Sequence, residues 1–195
     1  VNAFDQKLLF WLNGLAGRYD ALDALMRLLA SDYLVPLVGV LSIVGLWFAG
    51  RTPAERERFQ ITLFIGAASV GLANLAVVLL NLAWDRARPF AAMPDRVNLM
   101  FYPSTDPSFP ANPSAVGFAA ATSVALASPR LGAVLALAAA GQSIARVYAG
   151  VFYPTDVLAG AAVGIAIVGV PLALRHLLRP VPELVIRAGR ALMLA

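Results

Sequence analysis

Two arginines, Arg88 and Arg146, and one acid, Asp156, are the side chains of this sequence best suited to handling an anion. A guanidinium stays charged at any physiological pH, and its planar fork meets phosphate oxygens two at a time. Arg88 lies in the stretch Asp85–Pro113, which also holds Arg86, Asp95, Arg96, Asp106 and six prolines. Prolines at that density disfavour a long helix, and a loop of that length in a compact protein is usually functional. It ends in Asn112-Pro113, a helix-start signal in which Asn caps free N–H groups and Pro takes the first helical position. Pro154-Thr155-Asp156 starts a second helix on the same side. Helix N-termini attract anions, so both N-termini and both arginines are expected to converge outside the membrane.

Nothing of ordinary nucleophilic strength accompanies them. The chain has no Cys, and its single histidine, His176, falls at the opposite end beside Arg175 and Arg179, where it reads as an interfacial residue. Ser108, Ser114, Tyr148 and Tyr153 would attack only with an adjacent base, and no His, Lys or Cys near them supplies one. Asp156 as an acyl-phosphate nucleophile competes with a plainer role, an acid in a helix's first turn, favoured there by the dipole and paired with Arg146. Arg88 divides in the same way between anion ligand and structural partner of Asp85 or Asp106. The acids are scattered and no His/Cys cluster exists, so no metal and no other cofactor is expected.

The elements that position these residues belong to a membrane. Of 195 residues, 60% are hydrophobic and 13% charged, with a mean hydropathy of +0.76; a soluble domain carries about 25% charged residues. A helix needs roughly 20 apolar residues to cross a ~30 Å hydrocarbon core. Such runs occur at Tyr33–Gly50, Phe59–Trp84, Ser114–Ser128, Leu131–Gly150 and Thr155–Leu174. The third is short and Ala-rich, so it is either a buried core helix or one that extends toward Asn112. The expected fold class is an all-α polytopic bundle over 33–174, with about five spans and the loop 85–113 extracytoplasmic.

Residues 1–32 read as two short amphipathic helices, broken near Gly14 and Gly17, lying at the interface or packed on the bundle. Leu22, Leu25, Met26 and Leu29 form the apolar face of the second. Residues 181–195 read as an interfacial helix with Arg187 and Arg190 on its polar side. Trp11, Trp47 and Trp84 fit interfacial anchors. The net charge of +4 needs no nucleic acid: Arg51, Arg56, Arg58, Arg130, Arg175, Arg179, Arg187 and Arg190 all fall on one side, the positive-inside pattern. The expected location is a bacterial inner membrane with the Arg88/Arg146 side outward.

Against this background the segment Ala145–Asp156, Ala-Arg-Val-Tyr-Ala-Gly-Val-Phe-Tyr-Pro-Thr-Asp, resembles the third signature of the type 2 phosphatidic acid phosphatase / vanadium haloperoxidase superfamily: Ser-Arg, five residues, His, three residues, Asp. Arg146 and Asp156 match, and the His position holds Phe152. Arg88-Pro89 is similar to the close of the first signature, Lys, six residues, Arg-Pro, with Asn81 at the Lys position. Ser108-Phe109-Pro110 resembles the lead into Pro-Ser-Gly-His, where Ala111, Asn112 and Pro113 replace Ser, Gly and His. The three remnants keep their order, and the resemblance covers most of the chain, from the N-terminal helices through the fifth span.

The resemblance implies that Arg88 and Arg146 are phosphate ligands and Asp156 the residue that orients the nucleophile. It implies equally that the nucleophile, the general acid, the Lys and the phosphate-binding hydroxyl are gone, leaving no catalytic residue. Vanadate would lack its His ligand. A degenerate member is therefore expected, not an enzyme: a structural or accessory subunit of a membrane protein complex, with partners among membrane lipids, other membrane subunits or itself. The alternative is a module that binds a lipid phosphate or polyprenyl phosphate without cleaving it, and a residual lipid phosphatase is the third reading.

Overall fold

The structure, a computed structural model, describes residues 2–174. The interfacial helix expected over 181–195, the four arginines of the tail and His176 lie outside the described residues. Those residues fold into helices α1 (Ala3–Asn13), α2 (Asp20–Ala30), α3 (Leu34–Ala49), α4 (Pro53–Ala83), α5 (Pro89–Ala92), α6 (Asn112–Ala125), α7 (Pro129–Tyr148), α8 (Pro154–Ile167) and α9 (Gly169–Ala173), with no strand among them.

Local signals set most of the boundaries. The Asn2 side chain accepts the Asp5 N–H at 2.7 Å to open α1, and Thr52 and Ser128 do the same for α4 and α7. Pro53, Pro129 and Pro154 sit in the first turns of their helices, where a missing N–H costs nothing. After α1 the chain turns through Gly17 at φ +80°, a conformation that glycine adopts without a Cβ penalty. One expectation fails here. Ala111, not Asn112, occupies the cap of α6, with no side-chain cap bond. Asn112 is already inside the helix, and its amide donates instead to Asn74 Oδ1 on α4 at 2.8 Å.

The short helix α6 is the axis of the bundle, packed against α4, α7 and α8. Its faces are lined with small residues, and Ala115 and Ala119 are fully buried with Ala73, Val77 and Val168. That composition lets backbones approach closely, as membrane helices require when hydrophobicity alone does not drive association. At Gly160 and Gly164 of α8 the approach is extreme: a Cβ would lie 2.3 Å from the Ala111 carbonyl oxygen and 2.2 Å from that of Ala115.

The protein is an integral membrane protein by its helices. Pro53–Ala83, Pro129–Tyr148 and Pro154–Ala173 are long and apolar enough to cross a bilayer, and Leu75, Leu79 and Leu82 of α4 stay exposed. Of the five runs expected to span, the other two are shorter. α3 has 16 residues and α6 has 14; at 1.5 Å per residue α6 is about 21 Å long, and it serves as the buried core. The N-terminal helices take the packed alternative. α1 lies on α7 and α8, and α2 on α7 and α3.

Candidate functional site

The loop between α4 and α6, the turn between α7 and α8, and the N-terminal helices meet at one end of the bundle. Gly150, at φ +74°, makes the α7–α8 turn possible: a Cβ there would lie 2.6 Å from Val97. That turn carries Phe152 and delivers Asp156 into the first turn of α8.

Three arginines are gathered here, each stacked on an aromatic ring and tied to carboxylate. Arg88, the cap residue of α5, is only 5% exposed. Its Nε donates to the Asp106 carbonyl at 2.9 Å and its Nη2 to Asp106 Oδ2 at 2.8 Å. Its guanidinium lies 4.3 Å from the Phe152 ring centroid. Arg146, in the last turn of α7, is 3% exposed and donates through Nη2 to Asp32, which also accepts the Tyr102 hydroxyl at 2.8 Å. It stacks 4.4 Å over Phe101, and its Nε–H has no hydrogen-bond partner. Arg86 is the third, 4.1 Å over Tyr153. It reaches Asp5 Oδ2 at 2.6 Å, Thr155 Oγ1 at 2.8 Å and Asp156 Oδ1 at 2.5 Å.

Asp156 is therefore the partner of Arg86, not of Arg146. Its other oxygen accepts the Ser108 hydroxyl and, at 2.8 Å, the Tyr153 N–H. Both oxygens are committed, and a carboxylate so employed is a poor nucleophile or base. Phe152, 2% exposed, fills the expected nucleophile position with a ring whose face meets the Arg88 cation. An aromatic face attracts a guanidinium with roughly 0.5–2 kcal/mol, so this position adds stability while supplying no lone pair. The remaining positions of the family's signatures divide between this site and its surroundings. Ala111 is buried beside Val151 and Phe152. Asn81, near the end of α4, and Asn112 each leave an amide oxygen without a partner. Asn112 and Pro113 line a cavity of about 300 Å³ between α3, α4, α6 and α7. Asp32, Gln142, Val40 and Leu135 line it too.

The N-terminal helices supply the acids that sequence reasoning missed. Burial pushes the Asp5 carboxyl up, but the Arg86 guanidinium and the N–H and hydroxyl of Thr155 outweigh it and hold Asp5 below the usual carboxylate range. Asp23 is held low chiefly by the Tyr148 hydroxyl, against burial and with help from the Gly17 N–H. The Tyr102 hydroxyl is pushed up by its bond to Asp32. Asn13 ties α1 to the site, donating to the carbonyls of Asn98 and Tyr148 at 2.8 Å each. The available signals were faint: an acid early in an apolar helix, and an arginine two positions before Arg88.

Comparison with known proteins fits this geometry. Residues 62–179 match the PAP2 superfamily. The chain is 26% identical to undecaprenyl-diphosphatase BcrC of Bacillus subtilis (strain 168) over 183 residues, covering 93% of this chain and 90% of the relative. It is 26% identical over 155 residues to the bacitracin transport permease protein BcrC of Bacillus licheniformis, covering 80% and 72%. Its fold superimposes on the crystal structure of Aquifex aeolicus LpxE with a TM-score of 0.68 and 27% identity, over 88% of this chain and 96% of the other. The PAP2-type phosphatidylglycerolphosphate phosphatase of Bacillus subtilis shares the fold at a TM-score of 0.61 and 21% identity, over 90% and 88%. These findings overturn the expectation of a non-catalytic structural or accessory subunit. A relative matched along nearly its whole length is named a lipid diphosphatase, and none of these proteins is named as a subunit that holds a complex together.

Proposed function

The chain belongs to the PAP2 superfamily, and from that premise we propose that it recognises the phosphorylated head group of a membrane lipid at the Arg88/Arg146 end of the bundle, without histidine-based phosphoryl transfer. The recognition half is supported by the two buried arginines, which keep the family's positions and the family's preferred chemistry for phosphate. The 300 Å³ cavity that Asp32, the partner of Arg146, lines together with apolar residues such as Val40 and Leu135 suits a lipid chain.

One observation carries the second half. Phe152 stands at the nucleophile position with its ring packed 4.3 Å from the Arg88 guanidinium. Phosphoryl transfer leans heavily on positioning and charge, but attack still needs an atom with a lone pair and a base beside it. Within the site the hydroxyls of Ser108 and Tyr148 face carboxylates, Asp156 and Asp23, that are already committed to other donors. Those donors are Arg86 and the Tyr153 N–H for the one and the Gly17 N–H for the other. The acid position, Pro113, has no proton to give.

The test is paired. Detergent-solubilised protein is incubated with dioctanoyl phosphatidic acid and with undecaprenyl diphosphate, and released phosphate is measured; none above a protein-free control is expected. Native mass spectrometry of the same preparation is expected to show a phosphatidic acid adduct that weakens in Arg88→Gln. Phosphate release that disappears in Asp156→Asn would overturn the loss of turnover. Equal binding of dioctanoylglycerol would overturn the recognition. The proposed orientation, in a bacterial inner membrane with this end extracytoplasmic, rests on the arginines of the α3–α4 and α6–α7 turns lying at the other end.

A further inference from the structure

The arginines of this site are neutralised by the chain itself. Arg88 is held by Asp106, Arg146 by Asp32, and Arg86 by both Asp5 and Asp156. Within these pairs the carboxylates outnumber the guanidinium groups, and the family's additional cation is replaced by Asn81. In the first two pairs the arginine is the buried partner. Asp32 and Asp106 are the exposed ones, at 39% and 59%. An arriving head group therefore meets carboxylate before it meets guanidinium.

Charge complementarity decides which head group that arrangement accepts. A phosphomonoester brings close to two negative charges to a cluster that already carries an excess of acid, and like charges at contact distance repel strongly where water is scarce. A phosphodiester brings one. If its substituent ends in an ammonium, the exposed carboxylate gains a counter-ion instead of a rival. Arg146 has a buried Nε–H with no partner, so it has a donor to spare while Nη2 keeps Asp32. Asp32 also lines the cavity, with Asn112 and Gln142.

We propose that the site takes a zwitterionic phospholipid, a phosphodiester bearing a primary ammonium, with phosphate on Arg146, ammonium on Asp32 and a chain in the cavity between α3, α4, α6 and α7. This rests on the lipid-phosphate reading above and narrows it. It also fits Phe152, since a bound diester of this kind is to be held and not cleaved.

The experiment titrates the full chain in mild detergent with dioctanoyl phosphatidylethanolamine, dioctanoyl phosphatidic acid and dioctanoylglycerol, followed by native mass spectrometry. Phosphatidylethanolamine is expected to bind about two- to five-fold tighter than phosphatidic acid, the size of one partly exposed ion pair. Asp32→Asn is expected to erase that preference, and Asp32→Glu to keep it. Phosphatidic acid binding as tightly as phosphatidylethanolamine, or a preference that survives Asp32→Asn, overturns the proposal and leaves lipid-phosphate recognition standing. If neither phospholipid exceeds dioctanoylglycerol, both fall. The comparison in unmodified protein needs no variant, so a misfolded Asp32→Asn does not remove the test.

Discussion

At position 152 the exchange of an imidazole for a phenyl ring removes a nucleophile and installs a platform. The ring is buried among Ala111, Ala149 and Val151 and faces the Arg88 cation. Phe152→Ala should therefore lose about 3–5 kcal/mol from packing alone, measurable by chemical denaturation in detergent. Phe152→His alone should release no phosphate, because Pro113 and Asn81 remain without the acid and the cation. Asp5 gives a pH signature. Its carboxyl lies below the usual range when folded, so the folded state binds its proton less readily than the unfolded chain. That contribution is complete above the unfolded carboxylate value of about 3.9 and is lost as pH falls through the lower folded value. The melting-temperature gap between wild type and Asp5→Asn should hold steady down to about pH 5 and close in stronger acid.

Helix packing yields a contrast between glycines. α8 reaches α6 only because Gly160 and Gly164 present no side chain to the carbonyl oxygens of Ala111 and Ala115. Gly160→Ala or Gly164→Ala forces the helices apart and should cost about 1–3 kcal/mol or more. Gly71 of α4 has open space where a Cβ would go, so Gly71→Ala should be neutral or stabilising by about 0.5–1 kcal/mol; thermal melts of the three variants decide it. These elements were legible in sequence because apolar runs, prolines and capping residues act locally. The α6 axis, its small residues and the loop before it were visible in that way. The acid partners were not. Asp32 meets Arg146 across 114 residues and Asp5 meets Arg86 across 81, and no periodicity records a contact at that range. Amphipathic spacing in α1 and α2 gave two alternatives, membrane surface or bundle, and only tertiary packing chose between them. Asn112 misled for a related reason: its amide found Asn74 on α4, and a partner across the bundle outcompeted the local cap.

For the molecule as a whole, the orientation proposed from the arginine asymmetry is one that the absence of cysteine makes easy to test. Thr105→Cys, in the α5–α6 loop, should react with an impermeant thiol reagent added to intact cells, and Arg130→Cys, in the first turn of α7, only after the membrane is opened. The reverse pattern would turn the protein over. The reach of α1 has a further consequence for how the protein is made. Asp5 is synthesised before its partners Arg86 and Thr155, which follow 81 and 150 residues later. Until Arg86 emerges Asp5 lacks its ion-pair partner, and until Thr155 emerges it lacks the N–H and hydroxyl that complete its site. Full docking of α1 thus waits for the start of α8, and a segment made early settles only after most of the bundle has been made.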